Sequence, residues 1–159
     1  EMLRSLVGSE MCIRDRDYGK IKEAMKRMLQ FTEGTNPPLC LCHIDAVQDN
    51  FIFTKEGVKM IDWEYAGLSD PLIDIAMFAI YADYREGETE QLIAAYFPEG
   101  FDALLRARVH TYMAVGGLLW YDWSVYKSSL GVTFGPYEES QFRFAKEYAV
   151  KARKEWEML

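Results

Sequence analysis

The sequence predicts an α+β fold, predominantly helical around one small β-hairpin, and three observations predict it. Apolar residues recur at three- and four-residue steps through most of the chain. One pair of short β-prone runs, Phe51–Phe53 and Val58–Ile61, flanks a turn that ends in Gly57, where a positive φ is expected. No internal repeat or low-complexity linker divides the 159 residues. That length suits one domain burying about two-thirds of its unfolded surface.

The elements follow in order. Residues 1–16, EMLRSLVGSEMCIRDR, carry no sustained period. The stretch SLVGSEMCIRDR is similar to a spurious peptide found at the ends of translated sequence assemblies. Residues 1–16 are therefore expected to be a non-native or disordered leader, with the domain spanning 17–159. Tyr18, Ile21, Met25, Met28 and Leu29 mark an amphipathic helix that Gly34-Thr35-Asn36-Pro37-Pro38 breaks. Leu39–Ile44 reads as a strand entering a loop, and the hairpin follows. After Ile61 the chain is expected to turn helical. Pro71 stands near the start of a nearly apolar, buried helix through Ile80. Further helices are expected over 88–96, from about 101 through Trp123 and beyond, and over 138–158.

A formal charge of -7 argues against nucleic-acid phosphate or an anionic membrane as the main partner, and suits a cationic or metal-neutralised ligand. Cys12, Cys40 and Cys42 make neither a disulfide framework nor a zinc spacing, and read as reduced thiols. No apolar run approaches the roughly 18 residues of a membrane span. Cytoplasmic location is the expectation.

The chemistry concentrates between His43 and Asp74. His43-x-Asp45 is followed after four residues by Asn50, and eleven residues separate Asn50 from Asp62. Phosphoryl transfer needs one carboxylate to accept the proton of the attacking hydroxyl, and oxygen ligands to hold Mg²⁺ against phosphates. Asp45 sits on the loop, Asn50 leaves it, and the hairpin is expected to return Asp62 beside Asn50 on neighbouring strands. Asp49 and Glu64 are expected to be solvated or supporting.

The segment LCHIDAVQDNFIFTKEGVKMIDWEYAGLSDPLIDIA resembles the catalytic and metal loops of the choline kinase and aminoglycoside phosphotransferase family, of the bacterial choline kinase type. The resemblance runs from about Asp17 to the end. It implies a protein-kinase-like C-terminal lobe with the small hairpin at the catalytic site, ATP and Mg²⁺ as cofactors, and a small-molecule alcohol as substrate. It makes Asp45 the catalytic base and Asn50 and Asp62 the Mg²⁺ ligands. His43 then buttresses the loop, and Asp74 braces it through backbone N–H groups.

Trp120 and Trp123, three apart, share a helix face, a spacing that serves core packing and ligand binding alike. The resemblance implies that they line a choline pocket with Tyr65 nearby. A quaternary ammonium has no N–H, so aromatic faces hold it, each by about 0.5–2 kcal/mol. The expected activity is ATP-dependent phosphorylation of a small amino alcohol, choline first. The rivals are an aminoglycoside or other small-molecule kinase of the same fold, and a non-catalytic choline- or betaine-binding module.

A kinase of this type also uses a loop over the ATP phosphates and a Lys paired to them. Neither is readable here: the Gly116-Gly117 pair lies inside the helix carrying Trp120. The expectation is a C-lobe without its N-lobe. The chain as written should then make no measurable phosphocholine. Product formed by the purified chain above a heat-killed control overturns that expectation.

Overall fold

In the computed structural model the backbone is described from Met2, and the side chains from Tyr18 to Leu159. The expectation of a leader over residues 1–16 lies outside the side chains described. The elements are α1 (Met2–Gly34), β1 (Cys40–Cys42), β2 (Phe51–Thr54), β3 (Gly57–Met60), β4 (Gly67–Ser69), α2 (Leu72–Tyr81), α3 (Glu86–Tyr96), α4 (Ala103–Ser129) and α5 (Tyr137–Met158). A 3-10 turn covers Gln48–Asn50.

Helix α1 starts earlier than the apolar period begins, and it sets Met25 and Met28 into the core. It ends where expected: Asn36 takes φ 52, a left-handed value its short amide tolerates, and Pro37 and Pro38 bar continuation. The hairpin pairs β2 with β3, Phe51 opposite Met60 and Thr54 opposite Gly57, and Gly57 has φ 125. The expectation that the chain turns helical directly after Ile61 needs correction. A turn and strand β4 intervene, and β4 pairs antiparallel with β1, Cys40 opposite Ser69 and Cys42 opposite Gly67. Three residues, Gly-Leu-Ser, carry no alternation, so only the pairing makes them a strand.

The centre of the core is formed by α2, α4 and α5, with Met25 and Met28 of α1 and Ile93 of α3 added to it. Ile75, Ala76, Ala79 and Ile80 of α2 meet Val109, Met113 and Ala114 of α4 and Phe144, Ala145 and Tyr148 of α5. Asp102 caps α4 by accepting the Leu105 N–H at 2.7 Å. Among the described residues no helix is long and apolar enough to cross a membrane.

Two adjacent glycines set how closely α4 approaches its neighbours. A Cβ on Gly116 would lie 2.7 Å from Met77 Sδ and 2.9 Å from Ile80 Cδ1 of α2. A Cβ on Gly117 would lie 2.8 Å from both Ala145 N and Gln141 O of α5. The first pair are flexible side-chain ends, and the second are helix backbone that cannot retreat alone. Gly117→Ala should therefore destabilise by about 1–3 kcal/mol despite its helix-propensity gain, while Gly116→Ala costs less as the Met77 thioether moves aside. Urea unfolding of both variants checks this, and equal costs would refute the backbone-contact argument.

Candidate active site

The β1–β4 ladder delivers the loop after Cys42 against the first turn of α2. There Asp74, inside the helix rather than before it, accepts the His43 N–H at 2.9 Å and the Ile44 N–H at 2.7 Å. Ile44 has φ 70, a left-handed conformation that costs a β-branched residue about 1–2 kcal/mol. The bonded carboxylate holds it there. His43 is buried, and its Nε2 lies 2.8 Å from the Ile61 carbonyl. A carbonyl only accepts, so Nε2 carries the proton. Its Nδ1 is buried without a partner, and its ring meets Trp63 edge-on at 4.7 Å. His43 thus ties the loop to the far side of the hairpin.

Asp45 is half-buried between two donors. Its Oδ1 accepts the Tyr81 hydroxyl at 2.8 Å, and its Oδ2 accepts Asn50 Nδ2 at 3.2 Å. Asn50 Nδ2 also donates to the Asp45 carbonyl at 3.0 Å. Burial, and then the bond to Asp45, push the Tyr81 phenol far above its usual range, so it stays a neutral donor. An ionised carboxylate has about four lone-pair sites, so two donors leave room for a proton from a third group.

Asn50 is buried, with its amide N–H end turned to Asp45, which leaves its oxygen for another partner. The Ile61 N–H donates to the Asn50 carbonyl at 3.0 Å, which brings Asp62 one residue from that contact. Asn50 and Asp62 do not stand on neighbouring strands as expected: Asn50 ends the 3-10 turn, and Asp62 follows β3. Asp62 is exposed, with φ 61. Among the described residues no group of three or more His, Cys, Asp and Glu is placed to hold a metal. An ion here would rest on one amide oxygen, one carboxylate and ligands from outside the chain. That hard-oxygen set fits Mg²⁺, which keeps waters and phosphate oxygens in its shell. Asp49 and Glu64 are exposed.

The aromatic residues form a chain. Tyr81 packs on Trp120 with centroids 5.6 Å apart, Trp120 on Trp123 at 5.5 Å, Trp123 on Phe134 at 5.0 Å, and Phe134 on Tyr137 at 6.3 Å. The first of these rings, Tyr81, is hydrogen-bonded to Asp45, and the Tyr137 phenol is pushed up to about 12 by burial and then by the Asp45 charge. Trp123 remains 37% exposed, and Lys127 Nζ lies 5.5 Å from its ring centroid, so the ring already faces a cation. Tyr65 is exposed. A cavity of about 540 Å³ between α1 and α5, floored by Phe31 and Trp156, shares no residue with this site.

Sequence reasoning missed Tyr81, Phe134, Tyr137 and Asp70. Tyr81 carried a usable signal: it follows Asp74 by seven residues, two helical turns along the same face. Asp70 is buried and accepts Leu72 N–H at 3.1 Å, Arg108 Nε at 3.1 Å and Tyr112 OH at 3.0 Å, fastening α2 to α4.

A catalytic-type loop on a helical lobe, with small antiparallel sheets at its mouth, is the kinase-like arrangement. The chain belongs to the phosphotransferase enzyme family, which matches its residues 1–110. It is 32% identical over 104 residues to protein LicA of Haemophilus influenzae, covering 60% of this chain and 38% of that protein. It is 36% identical over 75 residues to thiamine kinase of Salmonella newport, covering 45% and 26%. Its fold is similar to that of choline kinase LicA from Streptococcus pneumoniae, with TM-score 0.69, 25% identity, and 84% of this chain matched to 48% of that one. The chain therefore spans less than half the length of these proteins.

Asp74→Ala removes the acceptor of two N–H groups and should cost about 2–4 kcal/mol. Denaturant midpoints with an unchanged slope check it. A loss under about 0.5 kcal/mol would mean that the loop is held by something else.

Proposed function

We propose that this chain carries the substrate and metal side of an ATP-dependent kinase for a small hydroxylated cation, choline first. The observation carrying the proposal is the aromatic chain Tyr81–Trp120–Trp123–Phe134–Tyr137, which starts at the Asp45 carboxylate through the Tyr81 hydroxyl and ends at a phenol pushed up by burial and the Asp45 charge. Choline joins a quaternary nitrogen to a hydroxyl through two carbons. A site for it needs a cage of ring faces beside a proton acceptor, since no N–H is present for hydrogen bonding.

In this reading the rings, with Tyr65 at the exposed edge, bind the cation and turn its hydroxyl toward Asp45. Asp45 accepts the hydroxyl proton as the oxygen attacks the γ-phosphorus. Tyr81 and Asn50 fix the carboxylate for that task, and His43 and Asp74 fix the loop. Mg²⁺ bound through Asn50 and Asp62 would supply neutralisation of phosphate charge. A placed base gives on the order of 10²–10⁴-fold, so positioning and charge neutralisation supply the rest.

The thiamine kinase relatives favour a second reading. Thiamine also joins a quaternary nitrogen, in its thiazolium ring, to a hydroxyethyl group, so the same cage and base would serve it. An aminoglycoside would call for carboxylates around its ammonium groups, whereas the groups around Asp45 are aromatic. The metal pair would have no use in a pure betaine-binding module.

Calorimetric titration tests the proposal on the chain itself. Trp123→Ala should weaken choline binding roughly tenfold, the loss of one desolvated cation–π contact, and leave Mg²⁺ binding unchanged. Tighter binding of thiamine than choline would shift the substrate to the second reading. Unchanged choline affinity in the variant returns both tryptophans to a packing role.

A further inference from the structure

The C-x-C pair of β1 takes no part in the proposed reaction. Cys40 is exposed, Cys42 is fully buried, and their Sγ atoms lie 3.7 Å apart on one face of the strand. Cys42 Sγ also faces the Ser69 and Asp70 carbonyls at 3.4 and 3.5 Å, across the ladder to β4. The next two residues along the chain are His43 and Ile44, whose N–H groups Asp74 holds.

We infer that Cys40 and Cys42 form an oxidisable pair, and that its closure to a disulfide by a peroxide frees the loop carrying Asp45. The Cys40 thiolate is the sulfur a peroxide can reach. Its attack breaks the O–O bond, gives Cys40 sulfenic acid and releases hydroxide or alkoxide, which takes up the proton the thiol had lost and leaves as water or alcohol. Cys42 Sγ then displaces hydroxide from that sulfur. The S–S bond forms, the S–O bond breaks, and the Cys42 proton leaves with the hydroxide as water. The two sulfurs lose two electrons and the peroxide gains them. Burial pushes the Cys42 thiol up, so the second step is slow and the sulfenic acid can be trapped.

Strand geometry links this chemistry to the loop. Two residues of extended chain span about 6.7 Å between Cα atoms. Disulfides prefer about 5.5–6 Å. Closure therefore draws the two Cα atoms together by up to about 1 Å, which pulls on the register of Cys40 with Ser69 and Cys42 with Gly67. The displacement falls directly on the two N–H groups that Asp74 receives. A bond strained in this way is of the labile, regulatory kind. Any effect on phosphorylation rests on the reading of Asp45 given above, but the disulfide and the loop's release do not.

The test uses the whole chain treated with hydrogen peroxide, digested with trypsin and weighed. The fragment from Met28 to Lys55 contains Cys40 and Cys42 and excludes Cys12. It should lose the mass of two hydrogens, and regain it with dithiothreitol. Cys40→Ser should abolish the loss, and Cys42→Ala should leave a dimedone-trappable sulfenic acid at Cys40. In the oxidised chain, amide exchange at His43 and Ile44 should quicken roughly tenfold or more. A fragment that only gains oxygen overturns the inference, as does one that stays unchanged. Ring closure without faster exchange at His43 and Ile44 overturns its link to the loop.

Discussion

One carboxylate receiving two consecutive backbone N–H groups governs the site. Asp74 holds His43 and Ile44 from the first turn of α2, and in doing so stabilises a left-handed isoleucine. That reversal turns the chain so that Asp45 meets Tyr81 at the other end of the same helix. Helix α2 thus acts as a ruler two turns long, with a loop anchor at Asp74 and a carboxylate partner at Tyr81. Its own placement depends on Asp70, which caps its start and binds Arg108 and Tyr112 of α4. Removing one partner of such a buried ion pair costs about 3–5 kcal/mol, because the other charge is stranded.

The electrostatics around Asp45 follow from that placement. Its neighbours are a neutral phenol, an amide and a second phenol, and no cation is bonded to it among the described residues. No fixed cation among the described residues neutralises this carboxylate. It therefore remains able to attract a mobile cation. The overall charge of -7 acts in the same direction at longer range.

Much of this was legible in the sequence where period or turn chemistry dominates. The spans of α2 and α5, the start of α4 and the Gly57 turn came from apolar spacing, Pro71 and one required positive φ. Asp45, Asn50 and Asp62 stood out because their spacing matched a chemical need. Strand β4 was not legible, since Gly67–Ser69 becomes a strand only by pairing with β1 across the loop. Tyr81, Phe134 and Tyr137 were hidden for a related reason. Aromatics in or beside helices read as core until tertiary contacts show which of them face a carboxylate. Asp70 gave no signal of its own in the sequence, though its burial against Arg108 makes it structural.

The aromatic chain and the core share a single helix surface. Gly116 lets α4 settle against Met77 and Ile80 of α2, and Trp120, one turn further along α4, meets Tyr81 at the end of α2. The separation of Trp120 and Tyr81 therefore follows from how closely α4 packs on the Met77 and Ile80 side chains. On its other side Gly117 fixes α5 against α4, and α5 begins at Tyr137, the far end of the aromatic chain. Helix packing thus fixes two ring positions by side-chain volumes that the interior cannot readily change. Phe134 and Trp123 are the adjustable members, because Phe134 lies in the α4–α5 connection and Trp123 keeps an exposed face. If the rings bind a quaternary cation as proposed, discrimination between a small cation and a larger one should reside in that connection, while the distance from cation to carboxylate is held by the core.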